Sequence, residues 1–274
     1  MRWICVLLLF LVYSSSLWAQ SAIHSLPATL FTGSGAYSHN FLDAFSFLNN
    51  QAALGNIKQV NAGVFAERKY LLRELSFLSG TVCLPVGSGG IGLGVKYFGN
   101  STYNESQVSL AYGKNLGKAC IGIQFNYHML NMAEYGNDAA YSVEVGALLQ
   151  LAENVQAGIQ VSNPLGGKFR KNKEEKIATI YKSAVGWEVS QVLLLTGELI
   201  KEENQPANLL VNIQYRFIDN FFARLGIATA SGAPFASAGV KWKNIRTDIM
   251  ASYHPQLGLT PGILFCFSGK NGKL

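Results

Sequence analysis

Along most of the chain every second side chain is apolar. Ile91, Leu93, Val95 and Tyr97 alternate with Gly92, Gly94 and Lys96, and Ile121, Ile123, Phe125, Tyr127 and Met129 with Gly122, Gln124, Asn126 and His128. The same period carries Val143 to Leu149, Val155 to Val161, Leu209 to Phe217 and Thr247 to Tyr253. A period of two puts alternate side chains on opposite faces of a β-strand. With the less regular stretches at 72–84, 176–190 and 192–202, about 14 strands are predicted between Gln59 and Ser268. An even count suits a closed bacterial barrel. The predicted connectors alternate as well. Tight ones fall at Pro85–Gly89, Lys114–Gly117, Ala152–Asn154, Ile218–Asn220 and Lys243–Asn244, and longer ones at Gly99–Glu105, Asn131–Ala139, Asn163–Glu175, Glu203–Ala207 and His254–Thr260.

Strands of about 9 to 11 residues cross a bilayer when tilted, and closure leaves no sheet edge with unpaired backbone groups in hydrocarbon. Aromatic residues near segment ends, among them Tyr97, Tyr127, Tyr141, Tyr181, Trp187, Tyr215, Phe217, Trp242 and Tyr253, suit an interfacial girdle. The predicted class is therefore all-β, a closed antiparallel transmembrane barrel, in preference to a soluble sandwich that would need a second hydrophobic layer. Residues 20–57 do not alternate. Asn40 or Asp43 is placed to cap a short helix through Phe41, Leu42, Ala44, Phe45, Phe47 and Leu48. Such a segment has two places in a barrel, as a plug in the lumen or as an anchor across the periplasmic mouth.

Arg2, the apolar stretch Trp3–Tyr13 and the small residue Ala19 read as a cleaved secretory leader over residues 1–19. Beyond it no apolar run is long enough for a helical span. The expected organisation is the leader, the segment 20–57, a barrel over 58–268, and a periplasmic tail at 269–274. This places the chain in the outer membrane of a Gram-negative bacterium with both termini periplasmic. The net charge of +6 is spread singly along the chain, which argues against a nucleic-acid partner. Cys83, Cys120 and Cys266 are too few and too far apart for a disulfide framework or a zinc site, and read as packing residues.

No catalytic, cofactor or metal site is legible. Gly87-Ser88-Gly89-Gly90-Ile91-Gly92 fits a dinucleotide-loop spacing, but a strand follows it where that fold needs a helix. The four histidines form no ligand spacing, and Ser, His and Asp are too dispersed for a triad. The polar phase of the strands instead predicts a luminal network of Lys96, Gln124, Asn126, Glu144, Glu188, Gln214 and Arg216, with Lys182 and Arg224. Small barrels fill their interiors with such paired polar groups. A lumen of this kind offers an oily ligand few apolar walls. The loop carrying Lys168, Arg170, Lys171 and Lys173 is a candidate contact for anionic lipopolysaccharide or a protein partner.

The stretch Asp43-Ala44-Phe45-Ser46-Phe47-Leu48-Asn49-Asn50-Gln51-Ala52-Ala53-Leu54 resembles the N-terminal signature of FadL-like and PorV/PorQ-like outer-membrane barrels, with Gln51 where that signature has proline. Tyr70–Leu75, Tyr112-Gly113 and Asn163-Pro164 resemble Bacteroidota-type members. The resemblance implies one of two non-enzymatic functions. PorV/PorQ-like members receive or anchor exported proteins in type IX secretion, and FadL-like members pass small hydrophobic compounds through a barrel gated by the N-terminal plug. The gate would then involve Phe41, Phe45, Phe47 and Asn50. The polar lumen favours docking of exported proteins, and hydrophobic uptake is the alternative. Outer-membrane lipid surrounds the barrel in either case.

Overall fold

The alternation of the sequence becomes two faces of one wall. In a computed structural model that describes residues 32–133, 136–170, 176–203, 205–218, 220–229 and 232–269, fourteen antiparallel strands form a closed barrel in sequence order. They are β1 (Asn61–Arg68), β2 (Ser76–Val86), β3 (Gly89–Gly99), β4 (Tyr103–Asn115), β5 (Ala119–Met132), β6 (Gly136–Ala152) and β7 (Val155–Ser162). The second half comprises β8 (Ile180–Ser190), β9 (Leu193–Glu202), β10 (Asn208–Ile218), β11 (Phe221–Ala228), β12 (Ala233–Trp242), β13 (Ile245–His254) and β14 (Gly258–Ser268). The ring closes where β1 pairs with β14, Asn61 opposite Ser268 and Glu67 opposite Gly262. Every strand therefore has two partners, and no edge is left to aggregate or to face lipid unpaired.

Outward positions such as Leu93, Val95, Phe125, Ile159 and Ile249 are exposed, whereas their inward neighbours are mostly buried. An apolar surface this continuous is the kind a bilayer covers. Its aromatic residues fall into two rings. Tyr97, Tyr141, Tyr181 and Tyr253 stand toward the ends of the strands joined by the longer loops, and Trp187, Phe217, Trp242 and Phe267 toward the ends joined by tight turns. The tight-turn rim also carries the start of β1 and the end of β14. Its turns are as short as Gly87-Ser88, which Gly87 opens with a left-handed φ of 55°.

The opposite rim differs from the sequence expectation. Where long connectors were expected at Gly99–Glu105, Asn131–Ala139 and His254–Thr260, the strands run on, so that only 100–102, 133–135 and 255–257 remain between them. The reason is that Asn131, Asn137 and Asp138 still pair across β5 and β6. Polar residues there mark where the outer face leaves the apolar belt, whereas the hydrogen-bonded ladder continues beyond it. The β7–β8 connection, 163–179, remains long and folds inward, burying Phe169, Ile177 and Ala178.

The predicted leader, residues 1–19, and residues 20–31 lie outside the described residues, as do 270–274 of the predicted tail. Residues 32–57 run inside the barrel at its tight-turn end. They form a 3-10 turn at Ser34–Tyr37, a single α-helical turn, α1 (Ser46–Asn49), and a 3-10 turn at Gln51–Asn56. This corrects the expected helix through Phe41–Leu48. An amphipathic helix suits a segment with one apolar side; here the wall surrounds the chain, so Phe41, Phe45 and Phe47 are all buried without sharing a helical face.

Candidate functional site

The plug is shaped by its own short-range hydrogen bonds. Asp43 Oδ1 accepts from the Phe45 amide at 3.0 Å and from Ser46 Oγ at 3.2 Å, while Ser46 Oγ accepts from the Asp43 amide at 3.0 Å. Asn50 Oδ1 accepts from the Ala52 amide at 3.0 Å and so caps the second 3-10 turn. The wall makes room by omitting side chains. A Cβ on Gly122 would stand 2.4 Å from Ala52 N, on Gly146 2.3 Å from Asn50 Oδ1, and on Gly186 2.0 Å from Tyr37 O. These inward glycines form a track that lets the plug backbone lie against the wall. Asn50 Nδ2 completes the contact by donating to the carbonyls of Ile159 at 3.1 Å and Ala147 at 3.3 Å.

Polar and charged side chains bind the plug to one side of the lumen. Glu144 is the hub, accepting from Gln51 at 2.6 Å, Gln160 and Asn126 at 2.8 Å, and Gln124 at 3.4 Å. Lys96 lies in the field of this carboxylate and of Lys182. Asn49 links the fully buried Glu198, to which its amide donates at 3.0 Å, with Lys182, whose Nζ donates to its oxygen at 3.1 Å. Glu188 holds the chain entering the plug, accepting from Ser38 Oγ and the His39 amide at 2.6 Å and from both nitrogens of Asn40.

A second cluster sits on β10, β11 and β13. Arg246 pairs with Asp43 of the plug at 2.9 Å and with Asp248 at 3.2 Å, and Arg224 reaches Asp248 at 3.4 Å. Arg216 donates to the Asn40 carbonyl at 3.3 Å, and its guanidinium lies over the rings of Phe41 at 5.2 Å and Phe222 at 5.5 Å. Gln214 is buried opposite Arg224 in the ladder.

The remaining side of the lumen is apolar, contrary to the expectation of few apolar walls. Phe45 of the plug meets Phe65 of β1 edge-on, centroids 6.5 Å apart, and Phe65 meets Phe77 of β2 at 6.0 Å. Phe47, Leu48, Leu54, Cys83, Met250, Leu264 and Cys266 complete this cluster. The expectation failed because β1 and the first part of β2 fall in stretches where alternation is weak, so their inward Phe65 and Phe77 do not stand out from the surrounding apolar residues.

The sequence-predicted residues thus separate into distinct places. Phe45 and Phe47 belong to the apolar wall, Phe41 to the arginine cluster, and Asn50 to the contact with β6 and β7. Gln124, Asn126 and Glu144 meet directly, whereas Glu188, Gln214 and Arg216 stand elsewhere in the lumen. Of the candidate partner loop, Lys168 and Arg170 are exposed on the long-loop rim, and Lys171 and Lys173 lie outside the described residues. Sequence reasoning did not single out Asn49, Glu198, Arg246 or Asp248, and marked Gln51 only as standing where the signature has proline. Glu198 had a readable signal, a charge in the inward phase between Thr196 and Ile200. The partners of these residues lie on distant strands and had none. Among the described residues no group of three His, Cys, Asp or Glu side chains is placed to hold a metal.

No family model matches the sequence, and no curated protein sequence matches it. Similarity appears at the level of structure. The TodX monoaromatic hydrocarbon channel, in its deltaS2 mutant, aligns with a TM-score of 0.60 at 6% identity, over 82% of this chain and 94% of that one. The CymD monoaromatic hydrocarbon channel aligns at 0.56 with 11% identity, over 88% and 96%. A Pseudomonas aeruginosa FadL homologue aligns at 0.55 with 12% identity, over 86% and 95%. At these identities the likeness is one of fold, the closed antiparallel barrel that this chain shares with these channels.

Proposed function

We propose that the chain is a non-enzymatic outer-membrane channel for small hydrophobic compounds, closed by its N-terminal plug, with the tight-turn rim toward the periplasm. The observation that carries this reading is the apolar wall running from Phe45 through Phe65 to Phe77. An apolar passenger gains free energy as its surface leaves water, and on this wall it displaces no hydrogen bond. The charges opposite are already held by amides and counter-ions, so a polar solute would have to break those contacts first. The fold likeness to hydrocarbon channels supports the same reading, and favours it over the docking role in type IX secretion, whose main support was a polar lumen with few apolar walls.

Whole-cell uptake of a labelled monoaromatic hydrocarbon, in a host that lacks a channel of its own, tests the proposal. Expression should raise the initial uptake rate. Phe65→Asn should return it toward the vector level, and Phe65→Leu, which keeps the wall apolar, should retain most of it. Vector-level uptake by wild-type protein that is folded in the membrane, as judged by heat-modifiable migration, would overturn the reading. An exported polypeptide that co-purifies with it would restore the docking alternative.

A further inference from the structure

The outer wall has a hollow that no part of the luminal chemistry uses. β4, β5 and β6 rise highest on the long-loop side, and there a cavity of about 690 Å³ opens between their outward residues. Tyr127 and Met129, the last outward apolar residues of β5, form its lower part together with Ser106 opposite Met129, and Asn104, Asn131 and Asn137 its upper part, with Arg170 at its border. It is therefore apolar toward the bilayer centre and amide-lined toward the rim. Asp138 also lines it, with Oδ1 accepting from the amides of Ala139 at 2.7 Å and Arg170 at 3.1 Å.

Arg170 is held there by the fold. Its amide also donates to the Ala139 carbonyl at 3.1 Å, which lays the segment against β6 beyond the end of β7. Phe169 is buried against Leu130 and Ala140 inside the mouth, so its neighbours Lys168 and Arg170 point outward, and both are exposed. An isolated antiparallel bridge sets Lys168 opposite Lys176, which is exposed as well. The same exposed segment thus carries three cations, of which Arg170 borders the hollow that continues the lipid-facing surface.

We propose that this hollow is a binding site for the net-anionic, phosphate-bearing headgroup of a lipid from the leaflet around the long-loop rim. The phosphate would lie at Arg170, whose planar fork suits two phosphate oxygens, with Lys168 next to it in the chain adding positive charge on the same rim. The glycerol or sugar hydroxyls would meet Asn131 and Asn137, and the first acyl carbons Tyr127 and Met129. The inference rests on the barrel being embedded in a membrane, and it is independent of what the barrel transports.

The test is native mass spectrometry of the full-length protein in neutral detergent, with lipid A as the probe and phosphatidylcholine as the control. Lipid A is expected to be retained one to one and phosphatidylcholine is not. K168Q/R170Q should weaken retention at least about tenfold, the scale of losing a charge-assisted hydrogen bond. Tyr127→Ser, which leaves the cations in place, should weaken it less, by severalfold. Equal retention of phosphatidylcholine, unchanged retention by both folded variants, or displacement of lipid A by excess inorganic phosphate would each overturn the proposal, the last by revealing a site for a free anion.

Discussion

Gly186 on β8 lies opposite Thr196, the residue before Gly197 on β9, so the two glycines stand in the inner and outer phases of the wall, and only the first is pressed by a neighbour. A Cβ at Gly186 would stand 2.0 Å from the Tyr37 carbonyl oxygen and force the plug backbone to move, whereas one at Gly197 would meet nothing within 4 Å. Gly186→Ala is expected to cost about 1–3 kcal/mol, the usual penalty for overpacking. Gly197→Ala should stay within about 0.5 kcal/mol of wild type. Urea midpoints of the folded, heat-modifiable form would show the difference. Glu198 illustrates what the residue scale hides from the sequence. Its inward phase follows from counting along β9, but the amide it holds, Asn49, is 149 positions away, and nothing local marks that pairing.

At the scale of elements, the strands were legible because each side chain faces one of two solvents, so burial repeats every second residue. The plug was legible only as a break in that period. Its turns could not be read because they depend on the glycine track and on Glu144, Glu188 and Glu198, which belong to other elements. The ladder of the barrel is complete without the plug, since every strand pairs with its two neighbours. Deleting residues 34–57 should therefore leave a closed, heat-modifiable barrel and convert it into an open pore. Planar-bilayer recordings should show a large stepwise rise in ion conductance relative to the full chain. Loss of the folded band on deletion would mean instead that the plug is required for the barrel itself.

The whole molecule is inverted with respect to a water-soluble protein, apolar outside and mixed within. Ile249 stands midway up β13 on the outer face and is 68% exposed. Ile249→Arg should destabilise the protein in lipid vesicles by about 2–4 kcal/mol, as expected for a cation near the bilayer midplane. A much smaller effect would place this part of the wall out of hydrocarbon. The inversion was readable from periodicity alone. The division of the lumen into a polar and an apolar side was not, because Phe65, Phe77 and Leu264 face inward from strands whose outer faces are apolar too, which erases the contrast between phases.

The seam between β1 and β14 also governs how such a molecule is put together. The plug runs into β1 through residues 57–60, and Val60 already accepts a hydrogen bond from the amide of Gly269, just past the end of β14, at 2.7 Å. The first strand laid down thus carries the stopper with it, and the last strand made is the one that shuts the wall beside it. The stopper and one side of the joint are consequently a single covalent unit, so a load on the N-terminal segment is passed straight to the pairing of the first strand with the last.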